Sequence, residues 1–589
     1  MNSTGKRIIE ETRMNCESQT TEETVITGNA VSIGNQGFDN IRKNNSFYVD
    51  KTALVKEWWE SGDTVTLITR PRRFGKTLNM SMLNCFFSMK YEDRGDLFEG
   101  LSVWQEEKYR KLQGTYPVIS ISFADVKQTN YKDAVQKIKN IIAEAYADFP
   151  FLYEWEGLLE NQKQQLKMVT GGMDDVTAQD ALKNLSCYLN RYYGQKVLVL
   201  LDEYDTPMQE AYIHGYWEEF TAFVRCLFNS TFKTNPYLER AMMTGITRVS
   251  KESIFSDLNN LNVVTTTSKE YETCFGFTQE EVFAALERFG LQEQKEEVRD
   301  WYDGFSFGAK KDIYNPWSIT NFLDKREFLP YWAATSSNSL VSRLLQTAEA
   351  DIKEGMEDLI EGREITVSFD EQVVFDQLDR SKDAIWSLLV AGGYLRIESI
   401  EYRGMLRKAW YHLKITNLET MGMFADMFAS WFQQSAAHYN EFIDALLKGN
   451  VKEMNAYMND VALAVFSSFD TGKHPSERTQ PEKFYHGFVL GLLVELKDSY
   501  EVKSNRESGF GRYDIMLIPR NRKAGTPAMV LEFKIHEKEE ESSLEATVES
   551  ALKQIREKEY DTELLEAGIK MEDIRHYGFA FEGKRVLIG

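Results

Sequence analysis

Residues 64–77 read Thr-Val-Thr-Leu-Ile-Thr-Arg-Pro-Arg-Arg-Phe-Gly-Lys-Thr, and no other stretch constrains the fold of this chain as tightly. The first six form an apolar run of strand type, and residues 76–89 carry a helical pattern that begins as the loop ends. A buried strand, a tight loop and a helix opening on Gly75-Lys76-Thr77 can cradle phosphates. Backbone N–H groups wrap the anion, and Gly75 lets the chain come close. Lys76 reaches the β- and γ-phosphates, and Thr77 offers a hydroxyl to Mg2+. The positive end of the helix dipole adds to the attraction. Arg70 stands where the usual pattern has its first glycine, so the match rests on the last three residues and their setting. The candidate nucleotide-binding residues are therefore Arg70, Pro71, Arg72, Arg73, Phe74, Gly75, Lys76 and Thr77.

A second signal follows in Leu198-Val199-Leu200-Leu201-Asp202-Glu203, an apolar strand ending in two carboxylates. Asp202 is suited to hold Mg2+ through water, and Glu203 to polarise an attacking water. This strand is expected to lie beside the phosphate-loop strand. A further candidate strand at 240–247 runs into Thr244-Gly245-Ile246-Thr247-Arg248. Thr244 can sense a γ-phosphate there. Arg248 can stabilise charge or serve a structural ion pair. Candidate strands at 117–123 and 263–266 alternate with helical patterns near 130–148, 177–193 and 216–233. That alternation predicts a parallel, three-layer α/β sheet.

The remaining chain divides by pattern. Residues 1–29 are polar and acidic and read as a mobile tail, and the ATPase-type domain spans 30–275. Residues 276–345 read as a helical lid with an aromatic connector, Trp301-Tyr302-Asp303-Gly304-Phe305 and Tyr314-Asn315-Pro316-Trp317. Residues 346–480 look mostly helical and carry no interpretable motif. From 481 to 589 a helix at 481–496, strands near 510–518 and 528–535, a helix at about 544–560 and a strand near 576–582 predict a second α/β domain.

In that domain Glu532 and Lys534 share one face of a strand, while Leu531 and Phe533 point to a core. If the neighbouring strand pairs, Asp514 joins them. Two carboxylates and a lysine suit phosphodiester hydrolysis with Mg2+ or Mn2+: Asp514 and Glu532 hold the metal, and Lys534 orients water and stabilises negative charge. Gln554, on the following helix, and Glu482, at the start of the preceding one, are candidates for the same site. A solvent-facing strand decorated with charges would look similar. Lys503, Arg506, Arg512, Arg520, Arg522 and Lys523 make the region locally basic, fit either for phosphates or for a solvated hairpin. This matters because the net charge is −22, so any nucleic-acid contact needs a local basic surface. Five scattered cysteines without a CxxC pair argue against a disulfide framework or zinc site. No secretory signal and no apolar run long enough to span a membrane are seen, so a cytoplasmic location is expected.

In combination, Phe47-Tyr48-Val49-Asp50-Lys51-Thr52, the loop at 70–77, Leu201-Asp202-Glu203-Tyr204-Asp205, residues 244–250, Trp301 to Phe305 and Tyr314 to Ser318 resemble the bacterial AAA-ATPase-like family. The end of the chain, from about 482, resembles the PD-(D/E)XK nuclease domain usually fused to that ATPase. In that family an arginine likewise replaces the first loop glycine. The resemblance implies a nuclease motif at Asp514, Glu532 and Lys534, with Gln554 as the helix glutamine. It implies that residues 32–52, with Gly34, Phe38 and Arg42, lie beside the nucleotide base, unless they are only the opening helix of the domain. The expected protein uses ATP and Mg2+ and acts on DNA or another nucleic acid, with no membrane partner and with self-association left open. ATP state would gate cleavage, and defence against phage or mobile elements is a natural setting. Two alternatives remain at this point. The C-terminal domain could be an inactive nucleic-acid- or protein-binding module worked by an ATPase switch. The chain could also be a translocase, although it has no tandem second motor domain.

Overall fold

A computed structural model describes residues 24–247, 255, 258–333, 339–348, 350–360, 362–371, 383–433, 439–465, 489, 493, 496, 499–508, 511–521, 526–536, 541–582 and 585–589. The chain divides into two compact units, Met1–Leu329 and Pro330–Gly589. Among the described residues, no helix is long and apolar enough to cross a membrane.

The first unit begins with β1 (Ile26–Thr27), which pairs antiparallel with β2 (Tyr48–Val49) around α1 (Phe38–Lys43). These strand residues include the end of the stretch read as a tail; residues 1–23 lie outside the described residues. Next come α2 (Ala53–Ser61), β3 (Val65–Thr69), α3 (Lys76–Phe87), β4 (Val118–Ser122), α4 (Tyr131–Ala147) and α5 (Asp175–Tyr193). They are followed by β5 (Val197–Asp202), α6 (Thr206–His214), α7 (Trp217–Phe228), β6 (Leu238–Gly245) and β7 (Leu261–Val264). Local chemistry sets several of these ends. Asn130 and Asp174 cap α4 and α5 by accepting N–H bonds from Asp133 and Thr177, and Gly194 ends α5 in the left-handed conformation.

All five strands pair parallel, in the order β4-β5-β6-β3-β7. Every residue of β3 and β5 is buried, as strands covered by helices on both faces require. The order corrects one expectation. The carboxylate strand β5 is not beside the phosphate-loop strand β3, because β6 is inserted between them. Both neighbours of β6 are thus site strands, and their C-terminal ends lie along one sheet edge, where open α/β sheets bind ligands.

The lid region holds β8 (Phe277–Thr278), α8 (Gln279–Arg288), α9 (Lys295–Tyr302), β9 (Phe305–Phe307), β10 (Lys310–Tyr314) and α10 (Pro316–Lys325). Its helices are joined by a small antiparallel sheet, β8-β10-β9.

The second unit opens with α11 (Ser339–Thr347), α12 (Ala350–Ile360), β11 (Ile365–Val367), α13 (Ala384–Ala391), β12 (Leu395–Arg403) and β13 (Lys408–Ile415). The helical middle therefore also contains an antiparallel sheet, in the order β11-β13-β12. Helices α14 (Leu418–Gln433), α15 (Tyr439–Lys448) and α16 (Val451–Val465) follow. The last domain is a five-stranded sheet of β14 (Tyr500–Ser508), β15 (Gly511–Pro519), β16 (Ala528–Ile535), β17 (Ile574–Glu582) and β18 (Arg585–Ile588) in sequential order. Helices α17 (Leu544–Glu557) and α18 (Thr562–Glu566) join β16 to β17, the one parallel pair. One face of the sheet, with Ile515, Leu531 and Phe533, shares a core with Phe442, Leu446 and Met458 of α15 and α16. The other, with Met516 and Val530, packs on Ile555 and Leu564 of α17 and α18. Of the helix expected at 481–496, only Val489, Leu493 and Leu496 are among the described residues, all three buried.

Candidate nucleotide and phosphodiester sites

The loop between β3 and α3 is held by its own backbone and by the lid. Gly75 lies at φ 81°, and a Cβ there would meet nothing within 4 Å, so the dihedral and not the space requires glycine. Lys76, almost wholly buried, donates to Arg70 O at 3.0 Å and Pro71 O at 2.9 Å. Burial pushes its pKa down, opposed by the negative charges of Glu203, Asp202 and Asp205. Thr77 Oγ1 donates to Asp202 Oδ2 at 2.7 Å, across from β5. Thr244 Oγ1, at the end of β6, donates to Asp202 Oδ1 at 2.5 Å. The structure thus brings together three sequence-predicted residues from three elements. Burial raises the Asp202 pKa above the usual carboxylate value, and the two hydroxyl bonds pull it back. Glu203 has a left-handed backbone, φ 50°, and accepts from Thr206 Oγ1 at 3.1 Å. Arg248 lies outside the described residues.

The arginines of the loop part company. Arg70 was expected among the nucleotide-binding residues, but its guanidinium is taken up elsewhere. It donates to the carbonyls of Thr69 (2.9 Å), Thr265 (2.8 Å), Glu270 (3.4 Å) and Tyr271 (3.3 Å) and sits 4.4 Å from the Phe307 ring centre. It is fully buried, which lowers its pKa to about 10. The physical reason is that a carbonyl-lined, aromatic-floored pocket takes up the two terminal nitrogens of the guanidinium. Arg72 reaches Gln209 Oε1 at 3.3 Å, and Arg73, exposed, stacks over Trp317 at 4.3 Å. Phe74 is buried edge-on between Phe305 and Phe307, with centroids at 4.8 and 5.4 Å. Asn315, the N-cap of α10, donates to Arg72 O at 3.3 Å. Asn79 of α3 donates to Cys274 O at 2.9 Å. The aromatic connector of the lid is therefore the wall of the phosphate loop.

Asp205 was not singled out from the sequence. It is buried and accepts from Ile246 N (2.9 Å), Thr247 N (2.8 Å) and Thr247 Oγ1 (2.9 Å), which ties the turn after β5 to the turn after β6. A Cβ on Gly245 would come within 2.6 Å of its Oδ1. The acidic run and the Thr-Gly-Ile-Thr run were both visible; nothing local linked them. The segment 32–52 is a structural clasp. Phe38 stacks on Phe98 at 5.1 Å, and Arg42 donates to Leu97 O and Glu99 O, both at 2.7 Å. These two side chains hold the segment to the loop that follows α3.

In the last domain, Asp514 and Glu532 stand one step beyond the cross-strand pair Ile515 and Leu531. Asp514 Oδ2 accepts from Phe533 N at 2.7 Å. Glu532 is buried and accepts from Gln554 Nε2 of α17. Gln554 Nε2 also lies 3.2 Å from the Tyr560 hydroxyl, whose pKa burial raises, with the Glu532 and Asp514 charges adding to it. Lys534, half-buried, is two residues from Glu532 on the same side of β16. Tyr560 and His536 escaped the sequence reading. His536 continues the same face and has Nδ1 2.9 Å from Thr547 Oγ1. Glu482 lies outside the described residues. Among the described residues, no group of three or more His, Cys, Asp or Glu side chains is placed to hold a metal. Asp514 and Glu532 are nevertheless the hard oxygen donors that Mg2+ or Mn2+ takes, and Thr77 with Asp202 is such a pair in the first unit. Of the basic residues at 503–523, Lys503 is paired with Glu563 at 2.5 Å, and Arg522 and Lys523 lie outside the described residues.

Comparison with known proteins finds one family match within each compact unit. Residues 32–255 match the family described as Predicted AAA-ATPase, and residues 480–589 match the PD-(D/E)XK nuclease superfamily. The chain is also similar to an uncharacterized protein in the vnfD 5' region of Azotobacter chroococcum mcd 1. The two are 28% identical over 496 residues, which cover 79% of this chain and 84% of that protein.

Proposed function

We propose that this chain, an AAA-ATPase-like domain joined to a PD-(D/E)XK nuclease superfamily domain, hydrolyses ATP and uses its nucleotide state to gate phosphodiester cleavage of nucleic acid. The observation that carries the reading is Asp202, with one carboxylate oxygen bonded to Thr77 of the phosphate loop and the other to Thr244 of the intervening strand. A carboxylate so held can report on the γ-phosphate to the helix α3 and the strand β6 at once.

In the first unit, Gly75 and the N-terminus of α3 present N–H groups to phosphate oxygens. Lys76 exchanges its bonds to Arg70 O and Pro71 O for phosphate, and Glu203 orients the attacking water. Loss of the γ-phosphate then alters the partners of Lys76, Thr77 and Thr244 together. In the second unit, Asp514 and Glu532 would hold a divalent cation, with Gln554 fixing the Glu532 carboxylate. A bound Mg2+ or Mn2+ ion supplies Lewis acidity and lowers the pKa of water. Lys534 orients the attacking water and offsets the negative charge that develops on the phosphate. A defence role against mobile elements and a cytoplasmic setting belong to this proposal.

The test is cleavage of plasmid and linear DNA with Mg2+ or Mn2+, with and without ATP, by wild type, Asp514→Ala and Lys534→Ala proteins. Cleavage by wild type and its loss in both variants is the expected result. No cleavage by wild type under any of these conditions would overturn the nuclease half of the reading.

A further inference from the structure

The hairpin of β12 and β13 breaks several local rules at once. Its loop presents Met405 at 98% and Leu406 at 92% exposure, and Tyr402 beside them is 56% exposed. Residues 402–410 contain Arg403, Arg407 and Lys408 and no acidic residue, in a chain of net charge −22. Arg403 and Lys408 are direct cross-strand partners, and like charges placed opposite each other cost stability. Arg407 adopts φ 50°, a left-handed conformation that a glycine or asparagine would take with less strain. Arg403 and Lys408 lie over the Trp410 ring at 4.4 and 5.8 Å, and Arg407 lies over Tyr402 at 5.1 Å. Arg403 also bonds Glu401 at 2.6 Å, an exposed pair of small worth. Two exposed apolar side chains, opposed cations and a strained arginine share one loop. Local violations of this kind mark places shaped for a partner rather than for stability.

We propose that this tip is a nucleic-acid contact surface: Arg403, Arg407 and Lys408 take backbone phosphates, and Met405 with Leu406 wedges against the exposed base pair at an opened duplex end. Charge complementarity selects a polyanion, and the apolar wedge selects one with exposed flat bases. The inference rests on the proposed function for its choice of nucleic acid over other polyanions. It assigns a surface to the middle region that the cleavage chemistry leaves unused.

The experiment measures binding of the full chain to a fluorescein-labelled forked DNA duplex, its blunt counterpart and the same sequences in RNA, by fluorescence anisotropy. Metal is removed with EDTA, so that binding is read apart from cleavage. The variants are Arg407→Ala/Lys408→Ala and Met405→Ser/Leu406→Ser, with Lys448→Ala on α15 as the control. Charge removal is expected to weaken binding and to reduce the slope of log affinity against log salt by about two, about one per lost phosphate contact. The apolar replacement is expected to weaken the forked substrate more than the blunt one, and the control to bind as wild type. Wild-type affinity in both double variants would overturn the proposal. So would a wild-type chain that binds neither DNA nor RNA, or that binds only anionic phosphatidylserine vesicles. Binding that follows the expected pattern without any cleavage on adding metal would defeat the nuclease reading and leave the hairpin standing.

Discussion

At the residue scale, Asp202 trades stability for chemistry. Burial raises its folded-state pKa, and that of Asp205, above the ordinary carboxylate value of 3.8. An acid with a raised folded-state pKa leaves the folded chain binding more protons than the unfolded one between the two values, so stability falls as pH rises through that window. Above that window the ionised Asp202 is a cost to the fold. Asp202→Asn should raise the thermal midpoint of unfolding at neutral pH while abolishing ATP hydrolysis. The gain should be smaller near pH 4, at the lower end of that window, where little of the wild-type stability has yet been lost. Calorimetric scans at the two pH values check this, and a variant less stable than wild type at neutral pH would refute it. The same scale shows what a sequence can and cannot disclose. Lys76 and Thr77 were legible because they follow Gly75 where a buried strand turns into a helix, and Asp202 because it ends an apolar strand. The role of Asp205 was not, because its partners Ile246 and Thr247 are distant in the chain and meet it only through the strand order.

At the element scale, the phosphate loop is stabilised by what packs behind it. Hydrogen bonds to charged groups contribute about 1.5–3 kcal/mol each. Arg70 gives such bonds to four carbonyls, so Arg70→Gly should cost several kcal/mol of stability and should not improve nucleotide binding, although it restores the usual loop pattern. Thermal unfolding and nucleotide titration of the variant decide the matter; a stable variant with tighter binding would sink it. Phe74→Ala removes a ring buried against Phe305 and Phe307, and should destabilise the unit by about 3–5 kcal/mol, with Phe74→Leu recovering most of the loss. Denaturant unfolding of the two variants tests the ranking. The five parallel strands of this unit were readable because they are largely continuous apolar runs, whereas its short antiparallel strands were not. Strand β14 (Tyr500-Glu-Val-Lys-Ser-Asn-Arg-Glu-Ser) was missed because its polar residues resemble a loop. The insertion of β6 between β3 and β5 was equally hidden, since neighbouring order is set by long-range pairing and leaves no local pattern.

At the scale of the whole molecule, the two candidate sites belong to different compact units, so the two proposed activities should separate under mutation. Asp514→Ala removes a candidate metal-binding carboxylate of the second unit, and should leave ATP turnover at the wild-type level while cleavage falls roughly a hundredfold or more. Lys76→Ala should do the converse to hydrolysis, because the loop loses the cation that meets the γ-phosphate. Gating adds a condition that neither site alone imposes. If nucleotide state controls cleavage, Lys76→Ala must make cleavage indifferent to ATP, fixed at the level wild type shows either with nucleotide or without it. Phosphate release and plasmid nicking, measured on the same preparations with and without ATP, give the four rates needed. Wild-type cleavage that responds to ATP, together with Lys76→Ala cleavage that does not, supports coupling between the units. A Lys76→Ala protein whose cleavage responds to ATP as wild type does would mean that the two domains share a chain without sharing a switch.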